Sequence, residues 1–275
     1  MAGDPARVLR FYRVVVALLL LGGAAGVWLA RARPWRRPPA VEVRDLDAEL
    51  ATLAGRAATL ADAAETYYVT PRASVHLHVM GFGQRCPLHL HPRTAEAAVI
   101  VRGAADGVQV SGEGGALRRR AGRYAEGALI ASPPGCGHEL VNAAPDALLA
   151  SLVFAVPPFD GNHYVAADDP RMLAATAPSV YDPRPALAEL AASSRLVELP
   201  AAAGRLAGLL VRTEAELPPE RPLVAYVVEG EGALEAAGRH GLRPHHLVIL
   251  RAGAPARVRA TRPLALLLFR PEPAP

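Results

Sequence analysis

The chain has 275 residues, 51% of them hydrophobic, and a formal net charge of +4. That length and apolar share suffice for one large or two ordinary packed cores, which excludes a disordered chain. The positive balance comes from residues 1–37, where 7 Arg stand against Asp4 (net +6); the remaining 23 Arg and 25 acids leave residues 38–275 at −2, so nucleic-acid binding has no support.

Residues Val14–Ala30 form an uncharged run of 17, close to the shortest helix that crosses a bilayer. Arg7, Arg10 and Arg13 precede it, and Arg31, Arg33, Arg36 and Arg37 follow. A single-pass anchor explains the length of the run and the Pro34, Pro38, Pro39 linker; a cleaved signal peptide explains the basic start and Ala30-Arg31-Ala32. The run is longer than the usual signal core, which favours the anchor, and its arginine flanks disfavour a buried soluble helix. Three arginines against four orient it weakly. The expectation is a single-pass membrane protein of bacterial type, anchored through residues 1–37, with the rest outside the cytoplasm.

Residues 38–69 read as a linker and a short amphipathic helix. Between Asp45 and Thr66, Leu46, Leu50, Leu53, Ala57, Leu60 and Ala64 recur at steps of four and three, a stripe on one helical face. Two of those six positions are only alanine, which favours packing on the chain's own domain over a dimerising coil, with a homodimer as the alternative.

Strand-like segments then follow at Ser74–Met80, Leu88–His91, Ala97–Arg102, Val108–Ser111, Leu129–Ala131, Glu139–Asn142 and Leu148–Val156, separated by glycine-bearing turns. Side chains alternate faces along a strand, so His89 and His91 point the same way, about 6–7 Å apart. Pro92 stops ladder donation, and Arg93-Thr94 give a bend from which Glu96 can reach the same point. His138 follows the tight-turn sequence Pro133-Pro134-Gly135-Cys136-Gly137. Three imidazoles and one carboxylate suit a divalent ion such as Fe, Mn, Ni, Co or Zn.

Those residues sit in two framed segments, Gly83-x5-His89-x-His91-x4-Glu96-x6-Gly103 and Gly127-x5-Pro133-x-Gly135-x2-His138-x3-Asn142. All ten framed positions fit the two signature motifs of the cupin superfamily, and residues 70–156 resemble a metal-binding cupin barrel. The resemblance implies an all-β double-stranded β-helix with His89, His91, Glu96 and His138 as metal ligands. If the motif strands pair antiparallel, as in cupins, His89 lies opposite His138, and Cys86 and Cys136 diverge by about 17 Å along the ladder, too far for a disulfide. His76 and His78 alternate with Val75, Leu77 and Val79; the apolar set reads as the inner one, leaving the histidines outside. Arg102 shares parity with Glu96 but reads as a surface residue at a strand end. Gln84 and Cys136 are near the ligands only in sequence.

Residues 157–194 hold Pro157, Pro158, Pro170, Pro178, Pro183 and Pro185 and read as an ordered connector. Within it, Phe159–Tyr164 could fold over a barrel mouth, but the usual state of such a segment is a solvated loop. A second barrel is expected over 195–275, with strands at Arg195–Leu199, Leu206–Arg212, Val224–Val228, His246–Leu250, Ala256–Ala260 and Leu264–Arg270. Aligning Gly230 with Gly103 puts Glu216, Pro218 and Leu223 where His89, His91 and Glu96 stand. Aligning Gly253 with Gly135 puts Ala256 at the place of His138. The second barrel is therefore expected to be degenerate and to bind no metal, and His240, His245 and His246 read as solvated turn histidines.

Resemblance to cupins with one intact metal site implies a metal-dependent, oxygenase-like enzyme for a small chelating organic substrate, with Glu96 as ligand and proton acceptor. A decarboxylase or isomerase is a second reading. A membrane-tethered module that binds or senses a small ligand without turnover is the alternative from another class.

Overall fold

The computed structural model describes residues 39–57, 63–144, 147–184, 194–199, 205–217, 220–253 and 255–271. Among these no helix is long and apolar enough to cross a membrane, and the run Val14–Ala30 lies outside them. The stretch expected to be linker holds strand β1 (Val41–Asp45), and helix α1 (Leu46–Ala57) follows directly. Asp45 closes the strand and caps the helix: its Oδ1 accepts from the backbone N–H groups of Asp47 at 3.1 Å and Ala48 at 3.3 Å. Leu46, Leu50 and Leu53 are buried in the main core, so the apolar stripe packs on the chain's own fold.

The helix is shorter than its periodicity predicts. It ends at Ala57, Leu60 lies outside the described residues, and Ala64 and Thr66 belong to strand β2 (Ala63–Thr70). The run Thr66-Tyr67-Tyr68-Val69-Thr70 is β-branched and aromatic, and it pairs along strand β3 (Ala73–Met80), which outweighs the alanine period.

The chain continues through β4 (Arg85–Leu90), β5 (Ala95–Arg102), β6 (Ala104–Glu113), β7 (Ala116–Ala125), β8 (Leu129–Ser132), β9 (Gly137–Asn142) and β10 (Leu149–Val156). The connector adds β11 (His163–Tyr164) and β12 (Ser179–Tyr181). They form two antiparallel sheets, in the orders β12-β8-β5-β10-β3-β2 and β11-β4-β9-β6-β7. Strand β7 carries Arg118, Arg119, Arg120 and Arg123 and gives no apolar alternation; most of its side chains are exposed, and charge on this edge strand discourages pairing with other chains.

A third sheet holds β13 (Ser194–Leu199), β14 (Leu206–Val211), β15 (Glu214–Leu217), β16 (Leu223–Glu235), β17 (Arg239–Leu242), β18 (His246–Leu250) and β19 (Ala256–Phe269). The expected strands Ala256–Ala260 and Leu264–Arg270 are one 14-residue strand. Strand β1 pairs with β18, so the first described strand is part of the C-terminal sheet.

Register decides which side chains meet. Across the six-stranded sheet, Val75, Phe154, Ala97 and Ala131 form one row, and Leu77, Leu152, Val99 and Leu129 another. These rows join α1 and residues of the C-terminal sheet, including Tyr226, Leu247 and Phe269, in a single core. The opposite face carries the rows Ser74, Ala155, Glu96, Ser132 and His76, Val153, Ala98, Ile130. His76 and His78 therefore face the interior of the first barrel and line its cavity. This corrects the outward placement expected from their alternation. The apolar set of β3 does face a core, but it is the core shared with the C-terminal sheet.

Candidate metal centre

His89 lies on β4 and His91 just beyond its end; His138 lies on β9, with His89 and His138 directly paired across the two strands. Paired residues project to the same side of a sheet, and the ring centroids of His89 and His138 stand 4.2 Å apart. One ring nitrogen from each of His89, His91 and His138 lies within 4.8 Å of the others. Glu96 arrives after the expected bend, from the other sheet. Residues 92–94 form the corner between sheets, and Glu96 is the second residue of β5, in the six-stranded sheet. Its Oε2 is 3.2 Å from His138 Nε2 and 3.4 Å from His91 Nε2.

Each imidazole is held from behind by a backbone carbonyl. His89 Nδ1 meets the carbonyl of Pro87 at 2.8 Å, His91 Nδ1 that of Gly161 at 3.0 Å, and His138 Nδ1 that of Cys136 at 3.3 Å. A carbonyl only accepts, so each contact favours the proton on Nδ1 and leaves an Nε2 lone pair for the centre. His91 Nε2 is buried and makes no hydrogen bond, a position that costs free energy unless an electrophile occupies the point it faces. Burial, reinforced by the neighbouring His138, pushes the pKa of His89 down to about 3, and burial also lowers that of His91. Neutral imidazole is the ligand form. Burial opposes ionisation of Glu96, but its contact with His138, with His91 and His76 beyond, outweighs burial and holds the carboxyl at about 2. The donor set fits a divalent cation.

The segment Phe159–Tyr164 lies over one side of this site, the alternative reading of it, while Phe159, Asp160, His163 and Tyr164 stay exposed as a surface segment does. Besides the Gly161 carbonyl, it supplies Phe159, whose ring stands 5.3 Å from His91 and 5.2 Å from His76, and Tyr164, paired with His89 across β11 and β4. Sequence reasoning misses His76, His78 and Gln109, all of which line the cavity. The pairing register could have found Gln109, because it lies directly opposite His138. Cys86 and Cys136 are buried thiols not joined in a disulfide; Cys86 lines the cavity, and burial pushes the Cys136 thiol up to about 12. Arg102 is exposed, as expected, and Gln84 turns its amide to the backbone N–H of Gly81.

At the positions aligned with the ligands, the C-terminal sheet carries no equivalent set. Glu216 is an exposed partner of Arg257 at 2.9 Å, Pro218 lies outside the described residues, and Leu223 and Ala256 are buried in an aliphatic core. Among the described residues, the three-histidine group is the only cluster that could hold a metal. His245 is not a free turn histidine, since its Nδ1 lies 3.0 Å from Asp47 Oδ1 and its ring stacks on Tyr226.

Residues 59–168 match the family model described as Cupin, so this part of the chain carries a cupin domain. No curated protein matches the chain. Among solved structures, salicylate 1,2-dioxygenase from Pseudaminobacter salicylatoxidans superimposes with a TM-score of 0.67 at 15% identity, covering 87% of this chain and 86% of that one. A point mutant of the same enzyme gives 0.62 at 16% identity, covering 98% and 95%. A Cupin 2 conserved barrel domain protein from Leptotrichia buccalis gives 0.56 at 12% identity, covering 76% and 88%. At these identities the likeness is one of fold.

Proposed function

We propose that the protein is a metal-dependent, oxygenase-like enzyme acting on a small organic substrate that chelates its metal. One observation carries this reading: three carbonyl-tethered imidazoles bring ring nitrogens within 4.8 Å of one another, and two of them, His89 and His138, line a cavity of about 550 Å³. His89, His91 and His138 would hold the ion, and Glu96 would be a fourth ligand or, when displaced, a proton acceptor beside it. A bound divalent ion would polarise a chelated oxygen and, if redox-active, allow dioxygen chemistry. The chain itself supplies the pocket, and Phe159 and Tyr164 flank its mouth. His76 places a neutral imidazole inside, where it can hydrogen-bond a substrate oxygen. The fold likeness to a salicylate dioxygenase supports this reading. We also propose that Val14–Ala30 anchors the protein in a membrane with the barrels outside the cytoplasm, on the strength of its length and arginine flanks.

The test is metal analysis of the detergent-solubilised full chain, followed by oxygen uptake with diketones, hydroxyketones and hydroxybenzoates. About one divalent ion per chain is expected, with at least a tenfold loss of metal affinity in His91→Ala. Absence of metal from the wild type would overturn the proposal. Bound metal without turnover on any class would instead make the barrel a binding module.

A further inference from the structure

The three imidazoles are not held alike. His89 and His138 each meet a carbonyl two residues earlier in the chain, Pro87 at 2.8 Å and Cys136 at 3.3 Å, so each carries its acceptor with it. His91 instead meets the carbonyl of Gly161 at 3.0 Å, 70 residues further on. Gly161 has a φ of 104°, a backbone conformation cheap only for glycine. It sits in the segment Phe159–Tyr164, which is tied down on both sides of that contact. The backbone N–H of Phe159 donates to Ser74 Oγ on β3 at 3.0 Å, while Asn162 Nδ2 lies 3.6 Å from Cys86 Sγ and His163 and Tyr164 pair with Leu90 and His89 on β4. The segment thus straps the six-stranded sheet to the five-stranded one, and Phe159, Gly161, Asn162 and Tyr164 line the cavity beneath it. Between the ties, Asp160 places its carboxylate behind His91: Oδ1 is 4.0 Å from His91 Nδ1, and Oδ2 is 3.4 Å from Arg93 Nη2.

We propose that Asp160 is a positioning residue of the metal centre, acting through His91, and that it couples the strap over the cavity to occupancy of the centre. Its carboxylate and the Gly161 carbonyl together hold the proton on His91 Nδ1 and keep Nε2 free for a cation. Removing such a partner from behind a ligating imidazole weakens metal binding by about 10–100-fold. Here the carboxylate side chain is 30% exposed and shares its charge with Arg93, which places the effect at the lower end of that range. The coupling is reciprocal: a strap that orients His91 when closed is held closed more tightly once His91 carries metal. An exposed Arg93–Asp160 pair that only ties two loops together would leave the metal indifferent to either residue's charge. The proposal rests on the metal-centre reading and adds that one of the three imidazoles is set by a segment outside the strands that carry the ligands.

The experiment uses the full chain in detergent. Zn²⁺ affinity is measured by competition with a chromophoric chelator, ligand geometry by the visible spectrum of the Co²⁺-loaded protein, and strap closure by hydrogen exchange of residues 159–164 with and without Zn²⁺. Asp160→Asn is expected to weaken Zn²⁺ about tenfold and to shift the Co²⁺ bands, while the metal-free variant melts as the wild type does. Arg93→Ala, which breaks the ion pair but leaves the carboxylate facing His91, is expected to bind Zn²⁺ at least as tightly as the wild type. In the wild type, Zn²⁺ is expected to slow exchange across the strap, and in Asp160→Asn to slow it less. The assignment is overturned if Asp160→Asn holds Zn²⁺ within about twofold of the wild type with unshifted Co²⁺ bands. It is equally overturned if Arg93→Ala weakens Zn²⁺ as much as Asp160→Asn does, since the ion pair would then be a structural tie, or if exchange in the strap is blind to Zn²⁺. Failure of the wild type to retain Zn²⁺ would overturn the metal-centre reading instead.

Discussion

His76 is uncharged in the fold for a reason that makes it measurable. Burial dominates its surroundings and, against the attraction of Glu96, brings its pKa from 6.5 down to about 4. In the unfolded chain the same imidazole takes up a proton near 6.5, so between those values the unfolded state binds more protons and stability falls as pH falls. The effect is absent above about pH 7 and nearly complete by about pH 4. His89, held at about 3, acts in the same direction, whereas Glu96, lowered from 4.5 to about 2, loses its contribution only below 4.5. The window from 6.5 to 4.5 therefore belongs to the histidines. Urea unfolding of the metal-free protein is expected to show stability lower by about 2 kcal/mol at about pH 5 than at about pH 7.5 from His76 alone. His76→Gln should remove that share of the slope; an unchanged slope would show that His76 is solvated.

At the scale of elements, the turns are where the motif spacing has its cause. Gly135 has a φ of 76° and donates its N–H to the carbonyl of His91 at 2.8 Å, so the turn before β9 is pinned to the end of the His89–His91 segment. A Cβ there would meet only Ala175 Cβ, at an ordinary 3.6 Å, and the Arg171 carbonyl at 3.8 Å, leaving the left-handed backbone as the sole penalty. Gly135→Ala is expected to destabilise the protein by about 1–2 kcal/mol in thermal or chemical unfolding and to loosen metal binding through His91. A neutral result would mean that the turn can relax without moving the histidine. These glycines also explain what is legible in the sequence. The same-side placement of His89 and His91 follows from strand parity, which is local; the antiparallel pairing that brings His138 to them, and with it the divergence of the cysteines, is implied only by the family resemblance. The inward face of β3 is not legible, because alternation shows that two faces differ and not what covers each one: Val75, Leu77 and Val79 are covered by another sheet, and the barrel interior stays polar because it holds the site. Gln109 and the Gly161 carbonyl lie beyond reach for a related reason, since each acts across a pairing or loop closure with no local signature.

For the whole molecule, the C-terminal sheet is the second wall of the core that backs the first barrel. Gly230, aligned with Gly103, shares its left-handed φ (87° against 84°), and in both a backbone carbonyl lies where a Cβ would stand. Gly253 and Gly135 share only the left-handed φ, at 85° and 76°. These glycine conformations recur, while the positions aligned with Glu96 and His138 hold the aliphatic side chains of Leu223 and Ala256. Phe269, near the end of the described chain, is fully buried against Phe154 of the metal barrel, with ring centroids 5.1 Å apart. Truncating such a ring leaves a cavity and costs about 3–5 kcal/mol. Because Phe154 belongs to the sheet that carries Glu96 and the cavity wall, the loss is shared by both halves. Phe269→Ala is expected to lower the midpoint of a single unfolding transition, followed in parallel by far-ultraviolet dichroism and by release of bound metal. Two separated transitions, with metal release unshifted, would show instead that the metal barrel stands without its companion, and that the second sheet contributes little to holding the site.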